Sequence, residues 1–281
     1  QDYALLSKII AKEKVNIIFH TSAYKHVPLV EINPLEGLAN NIHSSINVCK
    51  VSFENNVDKV ILISSDKAVR PTNIMGVSKR ISELIFQAYD EKCRESSNSN
   101  IKTIFAMVRF GNVLNSSGSV IPKFKSQIRN GGPITITDER VIRYFMTLEE
   151  SAQLVVQSCG MAKGGEVFLL DMGKPVKILD LAKNIITLSG YTIKNEMNPD
   201  GDIEIKFIGL RNGEKLYEEL LIDSNSIKTK HPLIFCAKEK RISYEVLLKK
   251  INELNKYLKS LDEEETFKLL KKIVPEWNKS K

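Results

Sequence analysis

No stretch of this 281-residue chain approaches the ~18 consecutive apolar residues that a membrane-spanning helix requires. The longest apolar runs, such as Val60 to Ile63 and Ile104 to Val108, are strand-sized. The first residues show no basic start followed by an apolar stretch, so no secretory leader is read there. Cysteine is scarce: Cys49, Cys93, Cys159 and Cys236 lie far apart without a C-x-x-C pair, which reads as a reducing, cytoplasmic setting. His20, His26, His43 and His231 have no ligand spacing among themselves or with the cysteines, so no metal site is expected. The aromatic residues are dispersed and offer no platform on which bases would stack. Internal repeats and low-complexity tracts are absent. So is G-x-G-x-x-G after a strand, the loop that cradles a dinucleotide pyrophosphate; the glycines are isolated or paired.

What is present is the composition of an ordinary globular protein, 42% hydrophobic and 27% charged. Its length suits one large domain or a domain with a smaller lobe. The net charge of +7 invites a nucleic-acid reading. Nine of the 32 lysines, however, fall between Leu247 and Lys281 and are interleaved with acids, the pattern of a solvated helix face. The basic excess would favour an anionic small molecule or an anionic membrane surface; no nucleic-acid partner is expected.

Periodicity gives an alternation of helices and strands. Asp2 to Lys12, Pro34 to Asn55 (with Asn33 as N-cap) and Asn73 to Glu95 read as helices, and Val15 to Phe19, Lys59 to Ser64 and Thr103 to Arg109 as strands. Ser96 to Asn100 is a polar loop. Beyond Gly111 the pattern loosens. Helices are predicted at Pro122 to Arg129, Glu149 to Gly160, Ile178 to Ser189 and Lys215 to Leu221, and strands at Val167 to Leu170 and Ile203 to Ile208. Two charged amphipathic helices end near Pro275. Strands separated by helices imply an α/β fold with a doubly wound parallel (Rossmann-like) sheet and a smaller C-terminal lobe.

The segment Ser64-Ser65-Asp66-Lys67 directly follows a predicted strand, and ligands of doubly wound folds bind at the carboxyl ends of strands. A hydroxyl, a carboxylate and an ammonium there suit proton chemistry. Read alone, Asp66 serves equally well as a helix cap and Lys67 as a surface charge. Ser65-Asp66-Lys67 is followed by Arg70-Pro71-Thr72-Asn73-x-Met75-Gly76-x-x-Lys79-Arg80. Together they resemble the active site of bacterial polysaccharide-biosynthesis UDP-N-acetylglucosamine 4,6-dehydratases of the extended short-chain dehydrogenase/reductase superfamily. Phe19-His20-x-x-Ala23-Tyr24-Lys25-His26-Val27-Pro28-Leu29-Val30-Glu31 is similar to the same family. So are Val108-Arg109-Phe110-Gly111-Asn112-Val113-Leu114, Ser117-Gly118-Ser119-Val120-Ile121-Pro122, Arg143-Tyr144-Phe145-Met146-Thr147 and Arg211-x-Gly213-Glu214-Lys215. The resemblance runs over nearly the whole chain.

The resemblance implies an NAD-dependent lyase. Hydride leaves C4 of the sugar, the C5 proton and C6 hydroxyl depart, and the hydride returns to C6. Asp66 would be the acid at C6, Lys67 the base at C5, Ser65 a hydroxyl at C4, and Lys79 the partner of the nicotinamide ribose. Met75 stands where most of the superfamily has tyrosine, as in its long, membrane-anchored dehydratases; a thioether cannot take the C4 hydroxyl proton, which leaves Ser65, Asp66 or a water to relay it. Ala23, Lys25, His26, Ser64 and Phe110 would line the cofactor, His26 being as readily a structural loop residue. For a UDP-sugar, Arg143 and Arg211 would hold the diphosphate and Glu214 the ribose. Arg109, Asn112, Ser117, Ser119 and Thr135 would complete the substrate side. Without the family, the two arginines read as surface ion pairs and Gly131-Gly132-Pro133 as a plain turn.

The chain opens on Gln1 inside what reads as a helix, and the resemblance sets the glycine-rich loop and the first strands of the sheet ahead of it. The expectations are therefore a sheet lacking its first strands, weak NAD binding by the chain as it stands, and a bare hydrogen-bonding edge on Val15 to Phe19. Residues 1–112 would form the partial NAD-binding part, 113–240 mainly the substrate lobe, and 241–281 a helical extension. A homo-oligomer is expected, with membrane association only through a preceding region. The competing readings are a nucleotide-sugar 4-epimerase, in which an acid at C6 has no role, and a non-catalytic nucleotide-sugar-binding fragment.

Overall fold

A computed structural model describes residues 2–96, 102–219, 226–237 and 239–278. Asp2 caps α1 (Tyr3–Glu13), its carboxylate accepting from the Leu5 N–H at 2.9 Å. β1 (Ile17–His20) leads to a short helix, α2 (Val27–Ile32), that periodicity does not reveal. α3 (Pro34–Glu54) has proline in its first turn, while the Asn33 side chain donates to the Leu29 carbonyl rather than capping it. β2 (Lys59–Ile63) ends in one turn of 3-10 helix, Asp66–Ala68. α4 (Ile74–Glu95) is capped by Asn73, whose side-chain oxygen accepts from the Gly76 N–H at 2.8 Å. Then come β3 (Ile104–Arg109), α5 (Val120–Arg129), β4 (Ile134–Ile136), α6 (Leu148–Met161), β5 (Val167–Leu170), α7 (Ile178–Leu188), β6 (Ile203–Phe207) and β7 (Ile234–Ala237). The C-terminal pair is α8 (Tyr244–Ser260) and α9 (Glu263–Ile273).

One expected helix does not form. Residues 215–219 are bend and irregular chain, and residues 220 and 221 lie outside the described part. The Lys215 and Leu216 carbonyls, which a helix would use internally, accept instead from the Arg143 guanidinium. Of the polar loop Ser96 to Asn100, residues 97–100 also lie outside the described part.

The chain divides into two compact units: Gln1–Phe110 with Gln153–Asp171 and Glu219–Lys281, and Gly111–Ala152 with Met172–Glu218. In the first, a sheet of order β1-β2-β3-β5-β7 continues to Ile227–Lys228. β1, β2, β3 and β5 are parallel; β7 is antiparallel to β5 and to Ile227–Lys228. The strand order advances in one direction, as on one side of a doubly wound sheet. Val60, Ile61, Leu62, Phe105, Ala106, Met107 and Val108 are all buried, which is why β2 and β3 read as unbroken apolar runs. α4 is buried along nearly its whole length, and α8 and α9 add Leu247, Leu254, Leu270 and Trp277 to the same core. Residues 241–278 are thus built into this unit. β1 is an edge, paired with β2 alone among the described residues, and Ile17 and Phe19 are 47% and 39% exposed.

The second unit holds a parallel sheet of Ile193–Lys194, β6 and β4, backed by α5 and α7 around Phe124, Ile134, Ile178 and Ile186. Asn112–Val113 pairs with Phe145–Met146, and Ile142–Arg143 with Val176–Lys177. Among the described residues no helix is long and apolar enough to cross a membrane.

Candidate active site

β2 and β3 stay zipped past their ends, the Ser64 N–H donating to the Val108 carbonyl at 2.8 Å and the Asp66 N–H to the Phe110 carbonyl at 3.2 Å. Ser64 to Lys67 therefore leave the sheet at the carboxyl ends of two parallel strands. Ser65 starts the 3-10 turn: its hydroxyl accepts from the Lys67 N–H at 3.3 Å and donates to Asp66 Oδ1 at 2.8 Å. The Lys67 ammonium meets the same Oδ1 at 3.0 Å. Asp66 is fully buried, and its second oxygen, Oδ2, has no hydrogen-bond partner among the described residues. A carboxylate oxygen left so is costly unless something binds it.

α4 runs back beneath this turn because Gly76 lets it. A Cβ at that position would lie 2.3 Å from the Lys67 carbonyl oxygen. Met75, buried at the first turn of α4, brings no titratable group. Lys79, one turn on, donates to the Ile63 carbonyl at 2.8 Å. Burial pushes its pKa down to about 8, against the pull of Glu83. His20, at the end of β1, stacks on Phe86 with ring centroids 6.1 Å apart, and burial and the Lys79 charge push it down to about 4. It is neutral at pH 7. Ala23 and His26 are half-buried and Lys25 exposed, all three in the chain that leaves the carboxyl end of β1; Phe110 is half-buried. In the first unit the structure thus gathers Ser64, Ser65, Asp66, Lys67 and Lys79 around one strand end.

Arg109 does not belong to the substrate side expected from its motif. Its side chain is fully buried and holds Glu83 with Nε and Nη2 at 2.7 and 2.6 Å, while Nη1 reaches Glu239. Burial disfavours its charge, and the two carboxylates more than restore it. Burial likewise works to raise Glu83; Arg109, Arg80 and the Ser64 hydroxyl outweigh it and hold the carboxyl below the ordinary glutamate value.

In the second unit, Arg143 donates to the carbonyls of Ile142, Lys215 and Leu216 and pairs with Glu214 at 3.3 Å, so its donors are engaged within the chain. Glu214 also accepts from the Thr137 hydroxyl at 2.9 Å and from the Arg211 N–H at 3.3 Å. The Thr135 hydroxyl accepts from Lys123 and Gln127, both at 2.8 Å. Lys123 carries no motif signal in the sequence. Burial, then the Arg211 charge, lowers its pKa against the pull of Glu214, so two cations, Lys123 and Arg211, share one neighbourhood with that carboxylate. Asn112 donates to the Tyr144 carbonyl at 3.2 Å, Ser117 is exposed, and Ser119 begins α5 with a buried hydroxyl that has no partner among the described residues.

Residues 1–239, which contain every one of these candidates, match the family described as "Polysaccharide biosynthesis protein". The chain belongs to that family. It is 50% identical over 221 residues to the capsular polysaccharide biosynthesis protein CapD of Staphylococcus aureus, covering 79% of this chain and 35% of CapD. An inverting UDP-N-acetylglucosamine 4,6-dehydratase of Campylobacter jejuni is 36% identical over 77% of this chain and 59% of its own length. A UDP-glucose 4-epimerase of Rickettsia rickettsii is 37% identical over 78% of this chain and 59% of its own. Among solved structures, Pen from Bacillus thuringiensis superposes with a TM-score of 0.72 at 32% identity, covering 90% of this chain and 79% of Pen. The chain spans about a third of the length of CapD.

Proposed function

We propose that this family member carries the catalytic part of an NAD-dependent 4,6-dehydratase acting on a UDP-N-acetylhexosamine, with UDP-N-acetylglucosamine as first candidate, in surface-polysaccharide synthesis. The observation that carries the reading is the Asp66–Lys67 pair, joined at 3.0 Å at a strand end, with one buried carboxylate oxygen that has no partner among the described residues. Such a pair sets a carboxylate that can take up and give back a proton beside an amine that can act as a base, the two functions that 4,6-elimination needs. Lys67 then removes the C5 proton, and Asp66 gives its proton to the C6 oxygen, which leaves as water. Ser65, hydrogen-bonded to Asp66, is the route by which the C4 hydroxyl proton first reaches that carboxylate as C4 is oxidised. This is the proton that Asp66 gives to C6, and Lys67 returns its proton to C5 when the hydride comes back to C6; the buried Met75 thioether has no part in it.

When bound, NAD supplies a reversible hydride acceptor. The fit of this chain to it is one-sided. Lys79 is buried at the strand end and suits the nicotinamide ribose, and Ala23, Lys25, His26 and Phe110 leave the same ends of β1 and β3, whereas the sequence holds no glycine-rich loop for the pyrophosphate. In the second unit, Lys123 and Arg211 suit a diphosphate, and Arg143 orders the segment that carries Glu214. Epimerisation at C4, the activity named for the Rickettsia relative, is the second reading; it leaves Asp66 and Lys67 without a task.

Proton NMR of the protein with UDP-N-acetylglucosamine and NAD in deuterated water tests this. The expected result is a new C6 methyl signal with deuterium at C5. Inversion at C4 without a methyl signal would replace the reading by epimerisation. Saturation transfer to the uridine protons with neither change would leave nucleotide-sugar binding alone.

A further inference from the structure

Directly behind Ser64, five charged side chains of the first unit are packed together. Arg80 meets Glu83 at 3.1 Å, Glu239 at 3.4 Å and Glu276 at 3.1 Å, and Arg109 bridges Glu83 and Glu239 from the other side. Arg80 Nη2 also donates to the Lys240 carbonyl at 3.2 Å. Glu83 accepts the Ser64 hydroxyl at 2.6 Å, so the cluster ends one residue from the candidate catalytic serine. The side chains of Arg80, Glu83, Arg109 and Glu239 are at most 3% exposed, and that of Glu276 is 26% exposed. With Lys79, which feels the Glu83 charge, three cations face three carboxylates. Removing one of the ion-paired groups, Arg80, Arg109, Glu83, Glu239 or Glu276, leaves its partner's charge uncompensated.

Glu276 comes from beyond the family match, which ends at residue 239. The same short segment touches the candidate loop a second time: the Asn278 N–H donates to the Pro71 carbonyl at 3.0 Å. Pro71 follows Arg70, whose φ of 39° places a non-glycine residue in the left-handed region directly before a proline. Such a backbone persists only where its surroundings hold it. Trp277, between the two contacts, is 4% exposed, stands edge-on to Phe267 at 5.8 Å, and its carbonyl accepts from Lys271. The segment is therefore anchored on α9.

We infer that Glu276 to Asn278 form a clasp on the candidate catalytic turn, with Glu276 a positioning residue that acts through Arg80 and Glu83 on Ser64. The Asn278 N–H holds the Pro71 end of the segment from Asp66 to Asn73, and Glu276 completes the charge balance that fixes its Ser64 end. The function of that segment rests on the dehydratase reading; the clasp itself does not.

Hydrogen–deuterium exchange on the full chain separates the two. Glu276→Gln keeps the shape and removes the charge, and Asn278→Pro removes the donor. In both, amides from Asp66 to Asn73 are expected to exchange about tenfold faster, while those of β3 and α8 stay as they were. Glu264→Gln, on the exposed side of α9, is expected to change nothing. Unchanged exchange across 66–73, or equal acceleration in β3, overturns the clasp. Where the methyl signal of the dehydration assay is present, Glu276→Gln should lower kcat several-fold with KM held; a rise in KM at constant kcat overturns the positioning role. Faster exchange in a protein that forms no methyl signal would keep the clasp and remove the dehydratase.

Discussion

At Lys79 two effects of different size meet: burial strips water from the ammonium, and Glu83 returns part of that loss through its charge. Burial is the larger, and the pKa falls from 10.5 to about 8. Between those values the unfolded chain holds the proton and the folded chain does not, so stability rises with pH across that window. Below pH ~8 both states hold it and the cost stands in full, about 3 kcal/mol. Lys79→Met should therefore be more stable than the natural chain at pH 7 in urea unfolding, with the difference shrinking by pH 10; a difference that stays flat with pH would mean that Lys79 titrates as an ordinary lysine. Gly76 sets another contest. Alanine gains ~1 kcal/mol in a helix interior over glycine, but its Cβ would stand 2.3 Å from the backbone oxygen of Lys67, which cannot swing away. Gly76→Ala is expected to lose about 1–3 kcal/mol in the same measurement, because the clash outweighs the propensity. A gain in stability would show that the turn yields easily. That Ser65, Asp66, Lys67 and Lys79 lie together could be expected from the sequence, which sets the first three directly after a strand and Lys79 one helix turn beyond Met75. Their roles came from the resemblance, since Asp66 and Lys67 read alone fit a cap and a surface charge as well. The place of Arg109 was not legible, since its partners Glu83 and Glu239 are 26 and 130 residues away and only the fold brings them to it.

Whole elements were readable where one face decides them. The long helices α3 and α4 and the C-terminal pair α8 and α9 carry their apolar stripe over three or more turns, and the structure has all four. α2 escaped notice because six residues including a proline show no full period. The segment from Lys215 to Leu221 has a helical pattern and no helix over its described residues, for a reason that sits far away in sequence: Arg143 takes its carbonyls. This separates two roles for that arginine. As a staple of residues 214–216 it matters without any ligand, so Arg143→Met should speed tryptic cleavage at Lys215 several-fold in the free protein. As a diphosphate ligand only, it would leave the cleavage rate alone and weaken nucleotide-sugar binding. The geometry favours the staple, because four acceptors within the chain already engage the guanidinium.

For the whole molecule, alternating strands and helices announced a parallel sheet, while the bare edge on Val15 to Phe19 was implied by the family resemblance and not by the strand itself. β1 occupies the margin of the sheet, with its outer row of backbone groups unpaired among the described residues. Sequence alone could not say how apolar that margin is. Ile17 and Phe19 are exposed on it, and Leu5 and Ile9 of α1 are 54% and 46% exposed. An open edge with apolar side chains is a template for another strand. The opposing effect is charge: at +7, two copies repel each other. That repulsion acts through water and fades once the screening length falls to ~8–10 Å near physiological salt, whereas strand pairing and apolar contact do not weaken with salt. Sedimentation velocity should thus show association that grows with protein concentration and grows again from 20 to 300 mM salt. Phe19→Lys, which puts a charge on the edge and leaves the buried face alone, should return the chain to a monomer. A monomer at every concentration and salt level would mean that the exposed edge is protected by twist or by α1, and that +7 is not what keeps copies apart.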